Sequence, residues 1–340
     1  MKDAELIEKV NMLLDAQAAA DKFSGSVLIA RETQVILTEA RGYAIHPNIL
    51  LNQPDTKFNI ASVTKMLTAV AVMQLVADGK LDLHKPVATY NPDLPHASEI
   101  TIHQLLTHTA GFDRYWNDAY RAARSDLRTV NDYLKLFATT PLEFPPGTRH
   151  HYGNTGYVVL GALIEQVTGK SYYDHMRESI YQPLSMQNTD HFEMDLPIAN
   201  CALGYTNDNW FGPEDGQRRS NHFIYAVKGS PSEHCFSTVQ DLFLFCQALQ
   251  NGRLLDAHHT DLCFTPHAAG EQPGVSYGYG FHIIDDGKHG RVIGHGGRAM
   301  GGDAFALMYR DLGYTVVVLS NYDRPAARNI YTGIADMLIT

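Results

Sequence analysis

Basic residues, cysteines and long apolar runs are all scarce in this chain. Of its 340 residues, 27 are Lys or Arg against 37 Asp or Glu, a formal charge of −10. Nucleic-acid binding draws most of its free energy from Lys and Arg displacing condensed counterions, so this balance argues against a nucleic-acid partner. The four cysteines, Cys201, Cys235, Cys246 and Cys263, form no CxxC pair and are too few for a disulfide framework. Free, mostly buried thiols are expected, with Cys235 a minor nucleophile candidate that no motif surrounds. Met1 to Val10 mixes charges with isolated apolar residues where a secretory signal needs a continuous apolar core. No later stretch is long and apolar enough to span a bilayer. A soluble, cytoplasmic protein without a membrane partner is the expectation.

Metal and nucleotide signals are missing too. The 17 histidines include no HExxH, and the pairs His150/His151 and His258/His259 cannot chelate one ion as neighbours on a regular element. The run GHGGRAMGG lacks the strand, lysine and helix of a phosphate loop. No metal and no cofactor is implied.

What is present is a chain with 44% hydrophobic content, ample for a large core, and no linker, low-complexity tract or repeat to divide it. One unit spanning 1–340 is expected. Leu6, Val10, Leu13 and Leu14 space a helix over Ala4 to Lys22, and Gly25 to Ala30 with Val35 to Ala40 reads as a hairpin. Ala61 to Asp78 is apolar on nearly every face and stops at Gly79, as a helix buried in the core does. Lys80 to Gln217 is rich in helical patterns and loops. Gly278 to Ile284, Arg291 to Gly294, Ala304 to Tyr309 and Thr315 to Ser320 read as strands, and Ala326 to Leu338 as a closing helix.

Strands near both ends and helices between them predict an α+β fold. Its antiparallel sheet, flanked by helices, is built from both chain ends (about 1–79 plus 218–340), with a mainly helical inserted lobe (about 80–217). The active site is expected between the lobes.

Ser62 and Lys65 stand three apart at the start of the buried helix, hence on one face, where unpaired N–H groups and the positive dipole end gather. A serine hydroxyl is a weak nucleophile until a neighbour takes its proton, and lysine does so only when burial or nearby charge favours its neutral form. Lowering a lysine pKa by ~3 units takes about 4 kcal/mol of differential interaction, which requires a preorganised site. SVTK alone is also an ordinary helix start. Its company lifts it: Tyr152-Gly153-Asn154 and His295-Gly296-Gly297 follow.

SxxK, then YxN, then HxG resembles the serine β-lactamase and penicillin-binding-protein superfamily, in particular its class C and esterase-like branch. FNIASVTKMLTA, ITIHQLLTHTAGF, FPPGT, YGNTGYVVLGALIEQVTGKSY, STVQDLFLFCQALQNGRLL and GHGG resemble the family's hallmark segments in its order, from about Phe23 to Tyr322. The resemblance implies a β-lactamase-like fold and an acyl-enzyme on Ser62, with Lys65 and Tyr152 sharing general-base and general-acid duty. It further implies that Asn154 binds substrate and that backbone N–H groups of Ser62 and Arg298 hold the oxyanion. Gly296 and Gly297 would let substrate approach the strand closely. His295 takes the place where other branches carry Lys, leaving a weaker, titratable charge or a locally satisfied strand-end histidine.

The chain also departs from the pattern. Gly153 stands where Ser or Ala is commoner, Ser232 to Cys235 (SEHC) replaces a small-residue stretch, and Arg298 and Met300 differ from the usual loop. SEHC is expected to reshape the pocket wall. Arg298 is either a partner for a substrate carboxylate or a solvated surface residue. Arg114, Tyr115 and Trp116 either line a substrate mouth or pack the lobe. His108 has no paired carboxylate in sequence and reads as structural.

The resulting expectation is a serine hydrolase acting on an ester, slightly preferred, or an amide of a small soluble substrate. Acyl transfer or cyclisation through the same acyl-enzyme is the alternative within this chemistry, and a non-catalytic ligand-binding sensor is the alternative outside it.

Overall fold

The computed structural model describes residues 3–47, 50–208 and 217–339. Its main sheet has eight strands among the described residues: β1 (Gly25–Arg31), β2 (Gln34–Arg41), β3 (Ala268–Ala269), β4 (Val275–Tyr277), β5 (His282–Asp285), β6 (Arg291–Ala299), β7 (Gly302–Tyr309) and β8 (Tyr314–Ser320). They lie in the order β2-β1-β8-β7-β6-β5-β4-β3, every neighbouring pair antiparallel. Both chain ends therefore complete one sheet, as expected. The join is the pairing of β1 with β8, Gly25 opposite Ser320 through Arg31 opposite Tyr314.

Side-chain alternation explains why these strands read as continuous apolar runs. Val27 and Ile29 of β1 and Val316 and Val318 of β8 face the core beneath helices α1 (Asp3–Ala19) and α5 (Ala326–Leu338), with Leu6, Val10, Ile330 and Ile334. Leu28, Ala30, Val317 and Leu319 point the other way, into the core containing α2 (Thr64–Ala77), α3 (Thr155–Thr168) and α4 (Val239–Gln250). A sheet covered on both faces needs no polar face.

The α2 helix is buried on nearly all sides, including Met66, Leu67, Val70 and Met73 at 0% exposure, and each such side chain contributes about 1.5–3 kcal/mol by leaving water. The helix is preceded by a 3₁₀ turn, Ala61–Val63, so Ser62 stands on the turn and Lys65 on the helix proper. Gly79, at φ +71°, follows its C-cap Asp78.

Two strands differ from their sequence expectation. Gly278 to Phe281 is a bend rather than strand: Gly280 has φ +84°, and a β-carbon there would lie 2.4 Å from Ala69 Cβ. The chain must turn to lie on α2 before β5 starts at His282. β6 runs past Gly294 to Ala299, because β7 supplies hydrogen-bonding partners that override the poor strand propensity of the glycines. β5 ends opposite Gly294, so one edge of residues 295–299 extends beyond it. No helix among the described residues is long and apolar enough to cross a membrane. The end of the expected helical lobe, 209–216, lies outside the described residues.

Candidate active site

The 3₁₀ turn presents Ser62 to a cleft of about 1050 Å³ whose walls also include Tyr152, Asn154, Glu233, His295 and Arg298. Ala61, just before it, holds a left-handed φ of +46°, unusual for a residue with a β-carbon. Its N–H donates to Asn59 Oδ1 at 2.8 Å, and the Thr64 hydroxyl donates to its carbonyl at 2.6 Å. These bonds hold a strained backbone that aims Ser62 out of the core.

Lys65 is fully buried, and its Nζ donates to Ser62 Oγ at 3.0 Å, Asn154 Oδ1 at 2.7 Å and the Ser232 carbonyl at 2.9 Å. Burial lowers its pKa to about 7, partly opposed by the negative charge of Glu233. Much of the population at neutral pH is thus an amine. A neutral amine keeps two donors, enough for Asn154 and Ser232, and turns its lone pair to the Ser62 hydroxyl.

Asn154 occupies the N-cap position of α3 but makes no side-chain cap bond. Asparagine there ordinarily caps the helix. Here its oxygen goes to Lys65 instead, and the residue borders the cleft.

The Tyr152 hydroxyl is buried and makes no hydrogen bond shorter than the usual limit, while its ring centroid lies 4.9 Å from Lys65 Nζ. Burial holds the phenol well above its ordinary pKa, with Glu233 reinforcing this and the nearby Ser62 hydroxyl opposing it. Resting Tyr152 is therefore a protonated phenol. Behind it, the His108 ring packs at 4.3 Å and its Nδ1 accepts from the Gly153 N–H at 3.4 Å. His108 thus braces the Tyr152 loop.

His295 is buried, with Nδ1 donating to the Gly296 carbonyl at 2.6 Å and Nε2 accepting from the Tyr277 hydroxyl at 3.1 Å. Burial first, then His282 and Lys65, depress its pKa well below the ordinary value. It is a neutral, locally satisfied strand histidine, not the titratable positive charge considered from the sequence. His282, 4.2 Å away between ring centroids, is likewise pushed down, to about 4, by burial.

Gly297 faces the protein rather than the cleft. A β-carbon there would fall 2.3 Å from the Ile60 carbonyl oxygen and 3.1 Å from the Ser62 nitrogen, so the glycine lets β6 lie against the nucleophile turn. The sequence had suggested close approach of substrate instead. Arg298 is exposed on the rim, and Arg324 ties the strand down by donating to the Gly297 carbonyl at 3.2 Å and to buried Asp303 at 2.9 Å.

Arg114 and Trp116 border the cleft, whereas Tyr115 is core. Sequence reasoning gave no role to Glu233 as an individual residue, although the SEHC departure marked its position. The thiol pKa values of the three buried cysteines are pushed up by burial, including that of Cys235. No group of three or more His, Cys, Asp or Glu among the described residues is arranged to hold a metal.

The chain is similar to known proteins over most of its length. The family described as Beta-lactamase matches residues 12–339. The chain is 28% identical over 320 residues to "Penicillin-binding protein 4*" of Bacillus subtilis (strain 168), covering 91% of this chain and 70% of that protein. The crystal structure of a penicillin binding protein from Bacillus halodurans matches with TM-score 0.87 and 30% identity, covering 95% of this chain and 98% of the other. A D-amino acid amidase from Ochrobactrum anthropi SV3, solved with L-phenylalanine amide, matches with TM-score 0.84 and 26% identity over 98% and 97%. With the family matched over residues 12–339 and the fold over nearly the whole length, the chain belongs to the β-lactamase family, within the superfamily of serine β-lactamases and penicillin-binding proteins.

Proposed function

We propose that this chain, a member of a serine hydrolase family, cleaves an ester or amide bond of a small soluble substrate through a covalent acyl-Ser62 intermediate. The observation that carries this is the buried Lys65 amine, with a pKa of about 7, 3.0 Å from Ser62 Oγ. The likeness to a D-amino acid amidase supports amides beside esters.

In this mechanism neutral Lys65 takes the Ser62 proton as Oγ attacks the substrate carbonyl carbon. The carbonyl oxygen becomes an oxyanion beside the backbone N–H groups of Ser62 and Arg298. Tyr152, kept protonated by burial, delivers its proton to the departing nitrogen or oxygen and recovers one from the Lys65 ammonium. Water then attacks the acyl carbon by the same relay, releasing the acid and restoring Ser62. The different directions of the two pKa shifts support giving the base role to Lys65 and the acid role to Tyr152. Asn154 orients Lys65 and offers its amide N–H to the substrate. The exposed Arg298 guanidinium meets a substrate carboxylate, so Arg298→Ala lowers kcat/KM for carboxylate-bearing substrates only; an equal effect on neutral ones removes that role.

Intact-mass spectrometry after incubation with a fluorophosphonate or p-nitrophenyl esters tests the reading. Wild type gains a covalent adduct and releases nitrophenol, and Ser62→Ala does neither. An adduct on Ser62→Ala, or none on folded wild type with any probe, overturns it.

A further inference from the structure

One of the carboxylates on the cleft wall, that of Glu233, is held by neutral donors. Glu233 is buried yet borders the cleft. The Tyr115 hydroxyl and the Trp116 indole N–H both donate to its Oε1 at 2.6 Å. Two short donors to one oxygen fix the direction of the carboxylate. Oε2 accepts no hydrogen bond from the described residues. Among the described residues, the one basic group within ion-pair distance is the His234 ring, Nδ1 lying 4.0 Å from Oε1. Burial holds that imidazole below its ordinary pKa, so it supplies no full positive charge at neutral pH.

The surroundings complete a recognisable chemistry. The rings of His234 and Tyr225 lie 3.9 Å apart, Trp116 and Tyr225 5.6 Å, and Trp116 and His234 6.0 Å. All three residues border the same cleft as Ser62. His234 keeps a left-handed φ of +61° to stand there, and its buried Nε2 has no hydrogen-bond partner. A residue with a β-carbon is costly at such an angle, where the related pattern carries small residues. The turn that presents the pair is closed by the Glu233 N–H donating to the Ser230 carbonyl at 3.1 Å. Within this turn, Ser232 supplies the carbonyl that holds Lys65.

An anionic oxygen beside aromatic faces attracts an organic ammonium by charge and by the ring quadrupoles together. We infer that Glu233, with Trp116, Tyr225 and His234, forms a subsite for a primary ammonium group on the substrate, so that amides or esters of amino acids are the preferred acyl donors. This rests on the acyl-Ser62 reading for its chemistry, while the binding half stands alone.

The test compares p-nitroanilides of phenylalanine, both enantiomers, with that of 3-phenylpropionic acid, which lacks only the amine. Wild type favours one phenylalanine substrate by about tenfold or more in kcat/KM, and Glu233→Gln, which keeps the shape and an acceptor, reduces that ratio about tenfold, chiefly through KM. A purely structural Glu233 lowers both substrates together, and an unchanged ratio overturns the subsite. Calorimetry on Ser62→Ala with phenylalaninamide and 3-phenylpropionamide reads binding without turnover. Tighter binding of the amine, lost in Ser62→Ala/Glu233→Gln, supports the subsite; equal binding of both amides overturns it, even if Ser62 labels normally. Failure of Ser62 labelling overturns the acyl-serine reading and leaves the binding comparison standing.

Discussion

Lys65 Nζ and Ser62 Oγ stand 3.0 Å apart, the lysine wholly buried and the serine open to the cleft. That arrangement ties nucleophile activation to the protonation of one amine, and the consequences are measurable.

Because Lys65 acts as a base only when neutral, kcat/KM rises with pH through about 7 and then levels. Glu233 raises the Lys65 pKa, so Glu233→Gln moves this limb to lower pH. A pH profile of p-nitrophenyl ester hydrolysis for both proteins checks it. A limb that stays in place in the variant rules out the coupling.

Lys65 also makes stability depend on pH. Between its folded value of about 7 and its ordinary 10.5, the unfolded chain retains a proton that the folded chain has released, so the Lys65 contribution to stability improves as pH rises. Lys65→Met lacks this dependence. The unfolding free energy of Lys65→Met minus that of wild type should therefore fall by about 1.4 kcal/mol per pH unit across this window. Urea unfolding at several pH values measures it, and a flat difference contradicts the buried-amine assignment.

Tyr152→Phe keeps the ring that packs on His108 and removes only the phenolic proton. Amide hydrolysis, which needs leaving-group protonation, should lose about 10²–10⁴-fold in kcat, and p-nitrophenyl esters, with a good leaving group, much less. Equal losses for both substrates exclude the general-acid role.

Gly297→Ala forces a β-carbon to within 2.3 Å of the Ile60 carbonyl oxygen, so backbone must move. A destabilisation of about 1–3 kcal/mol by denaturant melt is expected, with a fall in Ser62 labelling as the nucleophile turn shifts. Wild-type stability and labelling together contradict the close-packing role.

Much of the fold is legible in the sequence because burial on both faces of one sheet writes itself as apolar runs: Val27 to Ala30 and Val316 to Leu319 admit little else. The bend at Gly278 to Phe281 is not legible, since its cause is a close approach of Gly280 to Ala69 on a helix remote in the chain. Among the candidate site residues, spacing puts Ser62 and Lys65 on one face, whereas Tyr152 and Asn154 were pointed to by the family resemblance; the structure brings all four to one place. His108, His282 and Glu233 were not assigned their places, because no spacing shows that Trp116 and Glu233, 117 positions apart, share a hydrogen bond.

The sequence by itself determined the alternation of the strands, the all-round apolarity of α2 and the placing of Ser62 and Lys65 on one face, because these follow from backbone periodicity alone. The tertiary structure decided which groups carry charge. Lys65 is half neutral near pH 7, Tyr152 stays protonated and His295 stays uncharged because segments far apart in the chain exclude water around them, and desolvation has no signature in local sequence.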